Sequence, residues 1–61
     1  GEVIIINNID INKNNTIQLF DITGRLIEAV QNETQITIPA VKTGIYILKI
    51  NGYGYKIMIK Q

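Results

Sequence analysis

Four residue types that carry much of protein chemistry are absent from this chain: cysteine, histidine, serine and tryptophan. Without them the chain lacks the residues for a disulfide, a Ser–His or Cys–His triad, or a zinc or blue-copper site of the usual kind. Its acidic residues fall into no metal-binding or glycosidase motif; they are Glu2, Asp10, Asp21, Glu28 and Glu33. The sequence therefore predicts a protein that is not an enzyme and that holds no metal or cofactor.

A strong charge of one sign and long apolar runs are also lacking. Six basic and five acidic residues give a formal net charge of +1, which argues against a nucleic-acid partner. The longest apolar runs, residues 3–6 and 45–48, are far shorter than the ~20 residues of a membrane-spanning helix. With 61 residues in all, the chain is predicted to form one small domain.

What the chain has in abundance is isoleucine, followed by asparagine and threonine. Isoleucine and threonine favour strands, and asparagine favours turns. Apolar stretches alternate with turn signals about every 8 to 12 residues, as in an antiparallel sandwich or small barrel. We therefore predict an all-β antiparallel fold of six or seven short strands.

The strands before the last quarter of the chain are predicted at residues 2–6, 9–11, 16–21, 25–31 and 35–38. Alternation places four side chains in the core: Ile17, Leu19, Ile36 and Ile38. For the strand at 25–31, either Ile27 with Ala29 or Leu26 with Val30 could face the core, and alternation does not decide between them. A turn with Gly24 at positive φ joins the strands at 16–21 and 25–31.

The last eighteen residues read as a β-hairpin around Asn51-Gly52, the strongest short-range hairpin signal. A two-residue loop there would pair Ile50 with Tyr53, whereas a looser four-residue loop, Asn51 to Gly54, would shift the partners by two and keep the same faces. That register gathers one set of side chains on one face: Tyr46, Leu48, Ile50, Tyr53, Tyr55, Ile57 and Ile59. The opposite face then carries Lys49, Lys56 and Lys60.

Three features have both a structural and a functional interpretation. The turn at residues 21–25 could serve recognition, although a hairpin in which Asp21 accepts backbone N–H bonds explains it as well. The three tyrosines could form a stacking platform, but packing in the core and across strands is favoured; they are Tyr46, Tyr53 and Tyr55. The lysines on the opposite face could form a basic stripe, but such residues more often solvate a sheet and protect an edge strand.

Three ordered blocks resemble a known family. They are Phe20-Asp21-Ile22-Thr23-Gly24-Arg25-Leu26-Ile27, then Gly44-Ile45-Tyr46-Ile47-Leu48-Lys49-Ile50, then Lys56-Ile57-Met58-Ile59-Lys60. A Gly-Arg turn after a strand, a Gly-x-Tyr strand and a lysine-led aliphatic strand in this order resemble the type A C-terminal sorting domain of the type IX secretion system of Bacteroidetes. The resemblance covers residues 3–60, but the Pro-Asn-Pro-like block that usually opens the family is missing.

The resemblance implies a compact immunoglobulin-like β-sandwich at the end of a secreted cargo protein. Such a domain crosses to the periplasm, is recognised by the outer-membrane translocon and is then usually cleaved by a surface sortase, with the cargo left on the outer membrane surface or outside the cell. Matched position by position, the recognition residues are Asp21, Gly24, Arg25, Gly44, Tyr46, Lys56, Ile57, Ile59 and Lys60.

The sequence therefore predicts that residues 1–61 are a single C-terminal sorting domain, cut from a larger protein with a cargo domain attached at its N-terminal side. An incomplete first strand would leave an edge at which two copies could pair. The alternative is an accessory β-sandwich that binds glycan or protein on a secreted hydrolase.

Overall fold

The structure is a computed structural model that describes the backbone of residues 3–5 and 14–60 and the side chains of residues 14–60. The strands are β1 (Val3–Ile5), β2 (Thr16–Asp21), β3 (Leu26–Gln31), β4 (Gln35–Thr37), β5 (Gly44–Ile50) and β6 (Tyr53–Ile59). All of their pairings are antiparallel. No helix in the described ranges is long and apolar enough to cross a membrane. The prediction of an all-β antiparallel fold is confirmed, and the strand predicted at residues 9–11 lies outside the described residues.

Four of the strands form one sheet in the order β3-β2-β5-β6, and β1 pairs with β4 in a separate two-stranded sheet. The strands β2 and β5 therefore lie at the centre of the larger sheet, with β3 and β6 at its edges. This order brings the end of the chain beside the Gly44–Ile50 strand, so that all three blocks of the family resemblance lie in one sheet.

The core lies on one side of the four-stranded sheet, which we call the inner face. Ile17 and Leu19 are fully buried there, as their alternation with polar residues predicts. Ile36 on β4 and Ile38 just beyond it pack against the same cluster, and both sequence predictions are confirmed. The rest of the buried cluster comes from the two C-terminal strands: Tyr46, Leu48 and Ile59.

A β-bulge decides which side chains of β3 reach the core. Leu19 lies opposite Glu28, but Phe20 lies opposite Leu26, which leaves Ile27 as the extra residue. Ile27 and Val30 both pack against the core as a result. Both sequence alternatives assumed strict alternation, and both are wrong. Because of the bulge, the core receives Ile27 from one predicted pair and Val30 from the other.

The terminal hairpin has the register of the two-residue loop, with Ile50 opposite Tyr53. Asn51 and Gly52 have φ of 52° and 87°, and a two-residue type I′ loop needs positive φ at both positions. The prediction of core packing is confirmed for Tyr46 but is wrong for Tyr53 and Tyr55, which are 73% and 53% exposed. These two tyrosines lie near the hairpin turn on the edge strand β6, and they are not part of the buried cluster.

Candidate functional site

The turn between β2 and β3 is held by the carboxylate of Asp21. Its Oδ1 accepts hydrogen bonds from the backbone N–H of Thr23 at 2.9 Å, from the Thr23 hydroxyl at 2.6 Å and from the backbone N–H of Arg25 at 3.0 Å. Gly24 adopts a φ of 92°, a conformation that costs glycine little. The structural interpretation of this turn, with Asp21 as acceptor and Gly24 at positive φ, is confirmed.

The same hydrogen bonds keep Asp21 charged. The Thr23 hydroxyl and then the Arg25 N–H hold the pKa of the Asp21 carboxyl below its ordinary value. Arg25 adds a salt bridge from its Nε to Asp21 Oδ2 at 3.2 Å, while its side chain remains 80% exposed. The turn therefore presents the outer part of a guanidinium group to solvent, and this group suits carboxylate recognition.

An open groove of about 720 Å³ begins beside this turn. Its apolar lining includes Pro39 and Val41, and the cations Arg25 and Lys42 also line it. The hydroxyl of Tyr46 donates a hydrogen bond to the carbonyl oxygen of Lys42 at 2.6 Å, which fixes the connection between β4 and β5 against the sheet. The sequence indicated only a connection here, because no short-range pattern reports a groove built from distant segments.

Strand pairing brings the predicted recognition residues to one end of the sheet. Asp21 on β2 lies opposite Tyr46 on β5, and Tyr46 lies opposite Ile57 on β6. Gly44 lies opposite Ile59 in the same hairpin. The turn, the Gly-x-Tyr strand and the terminal strand therefore share adjacent cross-strand rows, although they are far apart in sequence.

The predicted residues of the terminal strand divide into buried and exposed sets. Ile59 is buried and Ile57 is partly buried against the core, so their side chains hold the edge strand to the sheet. Lys56 and Lys60 are exposed. Since β6 pairs only with β5 in the described sheet, its other edge offers free backbone groups beside these lysines.

Gly44 is not required by the local backbone geometry. It does not have a positive φ, and a Cβ added there would lie 3.9 Å from the Tyr46 ring, which is ordinary van der Waals contact. Its place in the predicted recognition set therefore depends on the family resemblance, whereas Gly24 has a conformational reason of its own.

No metal centre is formed by the residues at 14–60, where no three acidic side chains come together. A search of curated proteins and a search of solved structures each found no match. A family model described as "Secretion system C-terminal sorting domain" matches residues 4–61. Since this match spans nearly the whole chain and includes all three sequence blocks, the protein belongs to the type IX secretion system C-terminal sorting domain family, whose members direct export to the cell surface or the extracellular space.

Proposed function

We propose that this chain is a non-catalytic export signal read by the outer-membrane translocon of a Bacteroidetes type IX system. The attached cargo passes through the periplasm, and a surface sortase then removes the domain. The observation that carries the proposal is the cross-strand row from Asp21 through Tyr46 to Ile57. The row itself is largely buried, but it brings three sequence blocks that are separate in the chain to one end of the sheet, near the exposed Arg25 of the turn and the exposed Lys56 of β6.

The receptor is expected to contact two parts of this surface. At the turn, Arg25 offers an exposed guanidinium whose Nε is held by Asp21. At the edge, β6 offers backbone hydrogen bonds flanked by Lys56 and Lys60, as in the addition of a strand to a sheet. The remaining members of the predicted set support these contacts from within: Gly24, Gly44, Tyr46, Ile57 and Ile59.

An immunoglobulin-like sandwich is the architecture we propose for the domain. The support is the two-sheet arrangement and the hydrogen bond from the Tyr46 hydroxyl to the carbonyl of Lys42, four residues earlier. Immunoglobulin-like domains contain a similar tyrosine corner, in which the hydroxyl bonds to the backbone a few residues upstream.

The test is an export assay. Residues 1–61 are fused behind a periplasm-targeted reporter in a type IX-competent strain, and the reporter is measured in the medium and at the cell surface. The fusion is expected to be exported, and removal of residues 56–61 is expected to abolish export. Normal secretion of the truncated fusion, or equal secretion from a strain without the translocon, would contradict the proposal.

Because Ile59 belongs to the core, the truncation also removes a stabilising residue. The double substitution Lys56→Glu/Lys60→Glu avoids this problem, since both side chains are exposed. It is expected to reduce export while the urea midpoint of the purified chain stays unchanged. Lys56→Arg/Lys60→Arg is the matched control that keeps both charges.

A second candidate is favoured by one observation, the exposure of Tyr53 and Tyr55 on the same face of β6. Two accessible aromatic rings at alternate strand positions suit stacking on a sugar or contact with a protein. In this alternative the chain is an accessory module that binds glycan or protein on a secreted hydrolase. Binding of soluble oligosaccharides that disappears in Tyr53→Ala/Tyr55→Ala, with export unaffected, would support it over the sorting function.

The free edge of β6 also supports pairing between two copies, which we propose as a concentration-dependent homodimer. Sedimentation equilibrium tests it. A monomer at all concentrations up to the millimolar range would contradict it.

A further inference from the structure

The side of the four-stranded sheet that faces away from the core has an unusual composition for a solvated surface. We call it the outer face. Its apolar and basic residues are Phe20, Leu26, Ile45, Ile47, Lys49, Lys56 and Met58, and Gln18 and Ala29 lie in the row of Lys49. Strand register builds one cross-strand row from Leu26 through Phe20 and Ile47 to Lys56. Ile45 lies opposite Met58 one row further on. An antiparallel sheet with one solvated face usually carries polar residues there, so an apolar centre needs an explanation.

This apolar centre is not covered by the core. The buried cluster, including Ile36 and Ile38, lies on the inner face. On the outer face Met58 is 63% exposed and Leu26 is 50% exposed. Gly54 widens the accessible surface, because it contributes no side chain beside Ile47 and Lys49. An exposed apolar patch with a polar rim is typical of a site of protein association.

Charge is segregated between the two faces of this sheet. The lysines of β5 and β6, Lys49 and Lys56, both lie on the outer face. The acids of β2 and β3 do not: Asp21 lies opposite the buried Tyr46, and Glu28 lies opposite the buried Leu19. The Nζ of Lys49 sits 5.2 Å from the centre of the Phe20 ring, so the cation lies over the apolar centre. In the described strands this face is therefore apolar and positively charged, with no carboxylate.

Three kinds of occupant can be compared. A second copy docked by the same face would bring lysines against lysines, which is unfavourable. An anionic membrane is also poorly matched, because two lysines contribute only about 1 kcal/mol each. The tyrosines of β6 that would suit a bilayer interface lie on the opposite face. A protein surface with an apolar centre and carboxylates at its rim fits both features.

We propose that the outer face is a docking surface for a protein of the export machinery whose contact surface is apolar and rimmed by carboxylates. The inference rests on the proposed sorting function and extends it to a sheet face that is distinct from the Arg25 turn and that adjoins the backbone edge of β6 at Lys56. Phe20, Ile47 and Met58 supply the apolar contact, and Lys49 sets the charge preference.

The reporter fusion described above tests this proposal with Lys49→Glu, at a position outside the predicted recognition set. Export is expected to fall at least about tenfold, because a buried charge is reversed at the interface. The control Gln35→Glu/Thr37→Glu produces the same change in net charge at exposed positions of β4, and Lys49→Arg keeps the cation. Both are expected to export as the unsubstituted fusion does.

Met58→Glu, at an exposed position of the same face, gives a second test that does not involve a lysine. It is expected to reduce export, with Gln35→Glu as its control. Urea midpoints of the purified variants within error of the unsubstituted chain confirm that folding is intact. Normal export of both Lys49→Glu and Met58→Glu would overturn the outer-face proposal alone, whereas failure of the unsubstituted fusion to be exported would overturn the sorting function and the inference together.

A flotation assay distinguishes a protein partner from a lipid partner. The purified 61-residue chain is mixed with vesicles of phosphatidylcholine and phosphatidylglycerol. No co-flotation is expected. Binding that is lost in Lys49→Glu would overturn the protein partner in favour of an anionic membrane surface.

Discussion

Asn51 donates a hydrogen bond from its Nδ2 to the Oδ1 of Asn15 at 2.9 Å, and Asn15 is only 6% exposed. The same Asn51 accepts from the backbone N–H of Thr16 at 2.9 Å, and the N–H of Asn15 donates to Oδ1 of Asn32 at 3.0 Å. One polar cluster therefore joins the start of β2 to the turn after β3 and to the terminal hairpin loop. Asn32 and Asn51 both have positive φ, which asparagine tolerates better than most residues.

Removing the buried member of this cluster is expected to destabilise the domain. Asn15→Ala removes the hydrogen bond to Asn51, and because Asn51 is exposed and can bind water instead, the free energy of unfolding should fall by about 0.5–1.5 kcal/mol. Urea denaturation followed by circular dichroism measures the loss. The neighbouring Asn14→Ala changes an exposed residue and should stay within about 0.5 kcal/mol of the unsubstituted chain. Equal effects of the two substitutions would show that the cluster does not stabilise the fold.

The hydroxyl of Tyr46 gives a second stability prediction. Tyr46→Phe keeps the buried ring but removes the hydrogen bond to the Lys42 carbonyl. The free energy of unfolding should fall by about 0.5–1.5 kcal/mol. Tyr53→Phe is the matched control. Because Tyr53 is 73% exposed, its hydroxyl is solvated in the folded chain as it is in the unfolded chain. If the two variants unfold at the same urea concentration, the Tyr46 hydrogen bond has no net effect.

Local features of the sequence predicted much of the fold. The Asn51-Gly52 pair identified the hairpin and the face of each side chain, and the positive φ of both residues in the structure selects the two-residue loop over the four-residue one. Alternation identified Ile17 and Leu19 as core residues, since a half-buried strand repeats every two positions. Both signals depend on neighbours in the chain and needed no knowledge of distant segments.

The wrong predictions concern features of the fold that depend on contacts between distant segments of the chain. The faces of β3 depend on a bulge at Ile27, and a bulge adds one residue that alternation cannot show. Tyr53 and Tyr55 share the inner face with the buried Ile59, and alternation gives the face of a side chain but not how far along β6 the core extends.

The candidate site was predictable in its parts but not in its assembly. Asp21 and Gly24 form the expected turn from local chemistry. The groove between this turn and Lys42 depends on the order β3-β2-β5-β6, which the sequence pattern did not determine. The outer face was missed for the same reason, since Phe20 and Ile47 meet only through the pairing of β2 with β5.

Two glycines should respond in opposite ways to the same substitution. Gly24 has a φ of +92°, so Gly24→Ala forces a side chain into a strained backbone conformation and should cost about 1–2 kcal/mol of unfolding free energy. A Cβ at Gly54 meets Ile47 at 3.7 Å and Lys49 at 4.0 Å, which is ordinary contact. Gly54→Ala should therefore be neutral or should stabilise β6 by up to about 1 kcal/mol. Urea midpoints in the opposite order would contradict the turn conformation.

The last prediction concerns acid. The pKa of Asp21 is lowered from an ordinary value of 3.8, first by the Thr23 hydroxyl and then by the Arg25 N–H. The charged carboxylate therefore stabilises the folded chain above about pH 4, and this contribution is lost as the pH falls through the lowered pKa. In urea titrations between pH 7 and pH 2, the difference in stability between the unsubstituted chain and Asp21→Asn should be constant at neutral pH and should shrink in acid.

Thr23→Val tests the cause of this pH dependence. It removes the hydroxyl that contributes most to the lowered pKa but leaves the Arg25 N–H in place. Because the folded pKa then moves back toward 3.8 while the pKa of the unfolded chain is unchanged, the acid-induced loss that depends on Asp21 should begin at the same pH, be complete at a higher pH and be smaller in total. If stability falls with acid in Thr23→Val as it does in the unsubstituted chain, the hydroxyl hydrogen bond at 2.6 Å does not control the ionisation of Asp21.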